Sequence, residues 1–208
     1  QTNSIYGSNF NSAITILHAE GCLEQTKRVT IEGCRFANNE VGIDFGHNAY
    51  LPYVYVDQTE FQSQTVAGVL MREQLDAEIS DCNFAWCGGS SALNENDSYL
   101  LNTGAIDYRG TDEGPFDQYF AACQLSVKSS LFFECPTGII TQGGGGVTTQ
   151  EYLPISVDSS AFVGCGYGLL ATGAHMNVDV DESTFLGNEV GISAIMTNVS
   201  KSVFSRND

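Results

Sequence analysis

Basic residues are scarce in this 208-residue chain, which carries 8 Lys and Arg against 25 Asp and Glu for a formal net charge of −17. A surface of that sign repels the phosphate backbone of nucleic acids and anionic membrane surfaces alike, so neither is expected as a partner. Long hydrophobic runs are also missing. Runs such as Val54 to Val56 and Gly168 to Ala171 fall far short of the about 18 apolar residues a membrane span needs, and membrane insertion is not expected. No C-x-x-C pair occurs among the seven cysteines, so the spacing by which zinc ribbons hold their metal is absent. Seven is odd, and at least one thiol is left without a partner inside the chain. Histidine is reduced to His18, His47 and His175, scattered singly and read as surface or turn residues rather than catalytic bases.

What is present suits one folded unit. With 42% hydrophobic and 16% charged residues, the chain can bury one sizeable core and needs no second domain, so residues 1–208 are read as one. Low lysine with abundant Ser, Thr, Asn and Gly is common in exported surface proteins, and a secreted or cell-surface location is expected. Gln1 is unusual as a translated first residue, which predicts a processed form or a module of a longer secreted protein.

The dominant feature is an internal repeat, the first thing to seek because it decides the fold. Residues Val29 to Ile43 recur as Leu125 to Ile139, Ile155 to Leu169 and Val178 to Ile192. In each copy an apolar-polar-apolar triplet is followed by a small residue, a Phe, a polar residue or Cys three positions later, and a Gly six after the Phe. Looser copies begin at Val54, with one extra residue before Gly68, and at Glu78, where an insertion separates Phe84 from Gly104. A truncated copy runs from Val199 to Asn207.

Each column has a physical reading. Triplets such as Val29/Ile31, Val54/Val56 and Val178/Val180 alternate with polar residues, the period of a strand with one buried face. Phe36, Phe61, Phe84, Phe132, Phe162, Phe185 and Phe204 are expected to stack ring on ring at about 4.8 Å, the strand spacing, filling the bore of a solenoid. The Gly column is read as a turn other residues would strain. After it comes a second apolar strand: Ile43 with Phe45, Val69 with Met71, Ile106 with Tyr108, Ile139 with Thr141, Ile192 with Ala194. The position three after Phe reads Asn39, Gln64, Cys87, Cys135, Cys165, Asn188 and Asn207, a ladder in which amides bond to neighbouring rungs and Cys is a small buried filler. The position two before Phe reads Cys34, Thr59, Cys82, Ser130, Ser160, Ser183 and Ser202. Five cysteines are thereby assigned to packing and expected free, leaving Cys22 and Cys123 as a pair open to bonding. Period-two triplets and a Gly inside every unit exclude amphipathic helices, and a fixed Phe-x5-Gly phrase is foreign to a β-sandwich.

From Val29 onward the Asn ladder at Asn39, Asn188 and Asn207 and the Phe column resemble those of the right-handed parallel β-helix superfamily of pectate lyases and polygalacturonases. The resemblance implies an all-β solenoid of about seven rungs with long insertions along one edge. It implies little about activity, because such motifs specify fold. The Asn-Thr-Asp, Gly-His-Gly and Arg-Ile-Lys phrases of polygalacturonases do not occur, Gly46-His47-Asn48 being a poor echo. The Arg base of pectate lyases has no counterpart either, since Arg28, Arg35, Arg72, Arg109 and Arg206 are read as lying off the acidic face. Gly143 to Gly146 precedes no helix with Lys and Ser or Thr, so it is no phosphate cradle.

Two places on such a solenoid are candidates for function. The insertions His47 to Tyr53, Arg109 to Gln124, Gln142 to Pro154 and Gly88 to Thr103 carry Tyr50, Tyr53, Phe116, Tyr119, Phe120 and Tyr152, and aromatic faces beside carboxylates suit the C–H faces and hydroxyl rims of sugars. On the first sheet, Glu32, Asp57, Ser80, Lys128, Asp158, Asp181 and Ser200 are expected in one outward column, with Thr30, Tyr55, Glu78, Ser126, Ser156 and Asp179 beside it. Tyr50, Tyr53, Tyr55, Asp57, Tyr119 and Tyr152 are therefore the ligand-binding candidates. Carboxylates about 5 Å apart on successive rungs can share calcium or act as an acid and nucleophile pair, and Asp158, Asp179 and Asp181 are the metal candidates. Two functions follow. One is a non-catalytic secreted or cell-surface module giving adhesion, glycan contact or reach, its partners a polysaccharide or further solenoid rungs or subunits end to end. The other is a polysaccharide lyase or glycoside hydrolase, which requires Asp57, Asp158 and Asp181 to line a cleft.

Overall fold

A computed structural model describes residues 11–16, 28–45, 53–72, 76–89, 103–109, 124–142, 153–172 and 176–208. The triplets form the first of three parallel seven-stranded sheets, with strands Arg28–Glu32, Tyr53–Asp57, Asp76–Ser80, Gln124–Lys128, Leu153–Asp158, Met176–Asp181 and Met196–Ser200 stacked in sequence order (sheet 1). The Phe column has strands of its own, Arg35–Ala37, Glu60–Gln62, Asn83–Ala85, Leu131–Phe133, Ala161–Val163, Thr184–Leu186 and Val203–Ser205 (sheet 2). Sheet 3 holds Ser12–Ile16, Val41–Phe45, Ala67–Arg72, Ile106–Arg109, Thr137–Gln142, Tyr167–Thr172 and Val190–Ser193. The chain thus visits sheets 1, 2 and 3 in every turn, and Ser12–Ile16 closes the turn before Arg28, pairing with Val41–Phe45. Sequence reading gave two strands per repeat; the third was hidden because only three residues long, too short for an alternation to register.

The bore is filled by side chains. Ring centroids along the Phe column lie 4.6–5.2 Å apart with planes within 16° of parallel. Val54, Val56, Ile79, Leu125, Val127, Ile155 and Val157 from sheet 1 and Ile43, Val69, Ile106, Ile139 and Leu169 from sheet 3 pack around it. Both polar columns form ladders. In one, the backbone N–H of Ser130, Ser160 and Ser183 donates to the side-chain oxygen of Ser160, Ser183 and Ser202 in the following rung, each at 3.1 Å. In the other, Cys165 N–H donates to Asn188 Oδ1 at 2.8 Å and Asn188 N–H to Asn207 Oδ1 at 3.0 Å. The thiols of Cys87, Cys135 and Cys165 point at the carbonyls of Phe61, Phe84 and Phe132, as Asn188 Nδ2 points at Phe162. Cys34, Cys82, Cys87, Cys135 and Cys165 are free, while Cys22 and Cys123 lie outside the described residues.

The glycine column does another job than the turn expected of it. None of Gly42, Gly68, Gly138, Gly168 or Gly191 has positive φ. A Cβ on Gly138 would stand 2.6 Å from Gly168 O and 2.7 Å from a carbon of the Phe162 ring, so these glycines make room for the next rung. In the third rung the register places Ala105, not Gly104, in this column, because Ile106 pairs with both Val69 and Ile139. The left-handed positions fall elsewhere, one on each side of every sheet 2 strand, and most are not glycine: Gln58, Asp81, Ser129, Ser159, Glu182 and Lys201 before it, Asn38, Ser63, Trp86, Glu134 and Arg206 after it.

Candidate functional site

Strand alternation turns Val54 and Val56 into the bore and leaves Tyr53, Tyr55 and Asp57 on the outer face of sheet 1. The register confirms both expected columns. Glu32, Asp57 and Ser80 are in line, as are Lys128, Asp158, Asp181 and Ser200 further along, with Ser80 paired to Lys128. Thr30, Tyr55, Glu78, Ser126, Ser156 and Asp179 run beside them.

The first four rungs concentrate polar and aromatic contacts. Arg28 pairs with Tyr53, and its guanidinium carbon lies 4.9 Å from the ring centres of both Tyr53 and Tyr55. This corrects the reading that placed Arg28 off the face: the strand starts one residue before the apolar triplet, and by period two Arg28 shares the side of Thr30. Tyr53 Oη donates to Glu78 Oε2 at 3.2 Å, and Lys128 Nζ donates to Glu78 Oε1 at 3.3 Å. Desolvation first and the Glu78 carboxylate second push the Tyr53 phenol above its ordinary range. Desolvation, then Asp57 and Glu78, push Tyr55 the same way. Desolvation also raises Asp76, the residue in line with Tyr53.

Asp57 is the anomaly. It is 7% exposed and its Oδ1 has no hydrogen-bond partner among the described residues. Leaving a carboxylate oxygen buried and unpaired costs several kcal/mol by order of magnitude.

The metal candidates share a neighbourhood. Asp158 and Asp181 pair across adjacent strands, with Asp179 two residues from Asp181 on the same face. Their carboxylates are engaged: Ser159 donates to Asp158, Asn177 and Asn198 to Asp179, and Ser200 and Lys201 approach Asp181. The Ser200 hydroxyl, ahead of the Lys201 charge, holds the Asp181 carboxyl below its usual range. Among the described residues no group of three or more His, Cys, Asp or Glu is placed to hold a metal ion. Asp57 stands three strand spacings from Asp158, about 14 Å, so the acids do not converge on one reacting bond. Tyr50, Tyr119 and Tyr152, the three histidines and Gly143 to Gly146 lie outside the described residues.

Three parallel sheets, an aromatic stack and two polar ladders define a parallel β-helix solenoid. The family model for a right handed beta helix region matches residues 22–208, and the chain belongs to that family. Comparison with curated proteins and with solved structures finds no match.

Proposed function

We propose that this β-helix is a non-catalytic module of a secreted or cell-surface protein that contacts a glycan through the outer face of sheet 1 around Tyr53, Tyr55 and Asp57. The carrying observation is the pair of half-buried tyrosines flanked by a buried carboxylate with an unpaired oxygen. Sugars present apolar C–H faces to such rings and polar hydroxyl rims to the acidic surroundings. Against catalysis stand the spread of the acids over several rungs and the missing phrases of the enzymes the fold resembles. Calcium has no part in this reading.

The test is a glycan-binding screen of the full chain alongside Tyr55→Ala, with product analysis of the same glycans. Binding lost in the variant, with no glycan shortened, supports the module. Depolymerisation of any of them with new reducing or unsaturated ends would replace it with the lyase or hydrolase reading.

A further inference from the structure

We infer that the sheet 1 face selects a cationic glycan, one carrying free amino groups, over neutral or uronate-bearing chains; this rests on the glycan-contact reading above. Three observations converge on it. First, the two rings already hold a cation. Arg28 lies at one distance, 4.9 Å, from both ring centres, the placement in which a positive charge is attracted by the π-face.

Second, Asp57 is more than nine-tenths buried on this face with Oδ1 unpaired, beside Tyr55 in its own strand and in line with Glu32 of the neighbouring rung. A carboxyl group buried to this degree is screened less than one on an open surface, so Asp57 bears on whatever stacks against Tyr55. No contact with the sealed oxygen is needed for that attraction.

Third, the charges around the rings are unbalanced. Glu32, Asp57, Asp76 and Glu78 face Arg28 and Lys128 in the first four rungs. Lys128 is taken by Glu78 and Arg28 lies over the tyrosines, which leaves neither to receive the carboxylate of a uronate. Glu32 and Asp76 have no cationic partner among the described residues. The upward displacement of Asp76 by desolvation fits a face that lacks a counter-ion. With a protein charge of −17 behind it, the face repels polyanions and draws polycations.

The selection has a sign that a single substitution reads. Arg28 competes with an incoming ammonium group for the same rings and repels it. Arg28→Ala therefore tightens binding of a cationic glycan, by about three- to fivefold, the size of one exposed cation–π contact. For a uronate the same change would weaken binding.

Titrations of the full chain with glucosamine oligomers, their fully N-acetylated counterparts and oligogalacturonate decide the matter. The titrations are run at about pH 5.5, where the sugar amines are protonated. The expected result is binding of the glucosamine oligomers alone, tighter in Arg28→Ala, weaker in Asp57→Asn and Glu32→Gln, and diminished by salt. Glu32 is exposed, so its variant reads the charge even if Asp57→Asn unfolds. Equal or better binding of the acetylated or uronate oligomers, or weaker binding in Arg28→Ala, overturns the cationic preference and leaves glycan contact standing. No binding of any oligomer removes both.

Discussion

Gly168 backs onto the ring of Phe185 in the following rung: a Cβ there would stand 2.8 Å from Cδ1 of that ring and 2.5 Å from the carbonyl oxygen of Gly191. Close packing of rungs therefore depends on a missing methyl group. Gly187 lies outside the stack with φ of 67° and nothing within 4 Å of an added Cβ.

These two glycines predict different penalties for one chemical change. Gly187→Ala costs about 1–2 kcal/mol, the strain of a left-handed backbone alone. Gly168→Ala costs about 3 kcal/mol or more, the upper end of overpacking, because backbone and ring must both move. Urea denaturation of the two variants measures the difference. Equal losses would mean that rung spacing is not limited at the glycine column.

The aromatic stack predicts a gradient. Phe132 is fully buried between two parallel rings, whereas Phe204 is 46% exposed on the last described rung. Phe132→Ala is expected to cost about 3–5 kcal/mol, the range for a buried Phe, and Phe204→Ala less than half of that. Phe36, at the other end of the ring stack, is only 8% exposed and should behave more like Phe132. Thermal melts order the three.

Asn188 predicts how far Cys can stand in for an amide. Its Oδ1 accepts from Cys165 N–H, and its Nδ2 donates to Phe162 O at 3.1 Å. Asn188→Ala strands two buried backbone groups at about 1–3 kcal/mol each. Asn188→Cys restores the donor to Phe162 O, as Cys165 does toward Phe132 O at 3.7 Å. Its stability loss is accordingly expected to be about half as large, and a cysteine variant no better than alanine would refute the equivalence.

The thiols give a pH prediction. Desolvation pushes Cys82 up to about 12 and Cys87 up to about 11 from an ordinary 9.0. Their folded values lie above the unfolded ones, so their contribution to stability is whole below about pH 9. It is lost as pH rises through 11 to 12, because the unfolded chain releases these protons first. Cys135, which shares a hydrogen bond with Cys165 and is buried, is likewise held above its usual range. Alkylation at pH 8 with peptide mapping should label Cys34 of the five before unfolding and the others only after it. Rapid labelling of Cys87 in the folded chain would contradict its placement.

Much of this was legible because a solenoid writes each contact as a column. Phe36 to Phe204, both ladders and the outward line from Glu32 to Ser200 are fixed by a repeat in which equal positions must superpose. The misreadings share a cause. Gly42 and its equivalents look like turn residues in sequence, and only the distance to the next rung shows that they are spacers. Turn residues such as Gln58 and Trp86 carry no composition signal, since the turn imposes its conformation on whatever stands there. Arg28 was missed because apolar residues mark the strand and polar ones extend it unannounced. The unpaired oxygen of Asp57 has no trace in the sequence at all, because Asp158 and Asp181, further along, carry the same side chain in the same column.

Every ladder bond from a backbone N–H runs one way along the axis, from Asn39 to Gln64, from Ser130 to Ser160, from Asn188 to Asn207. Backbone-to-backbone bonds run both ways between rungs, as from Gly33 to Asp57 and from Glu60 to Cys34, so the direction lies in the side-chain ladders alone. Two copies meeting tail to tail would break those ladders at the junction. Growth of such a rod, by duplication of a repeat or by docking of another molecule, keeps one reading direction.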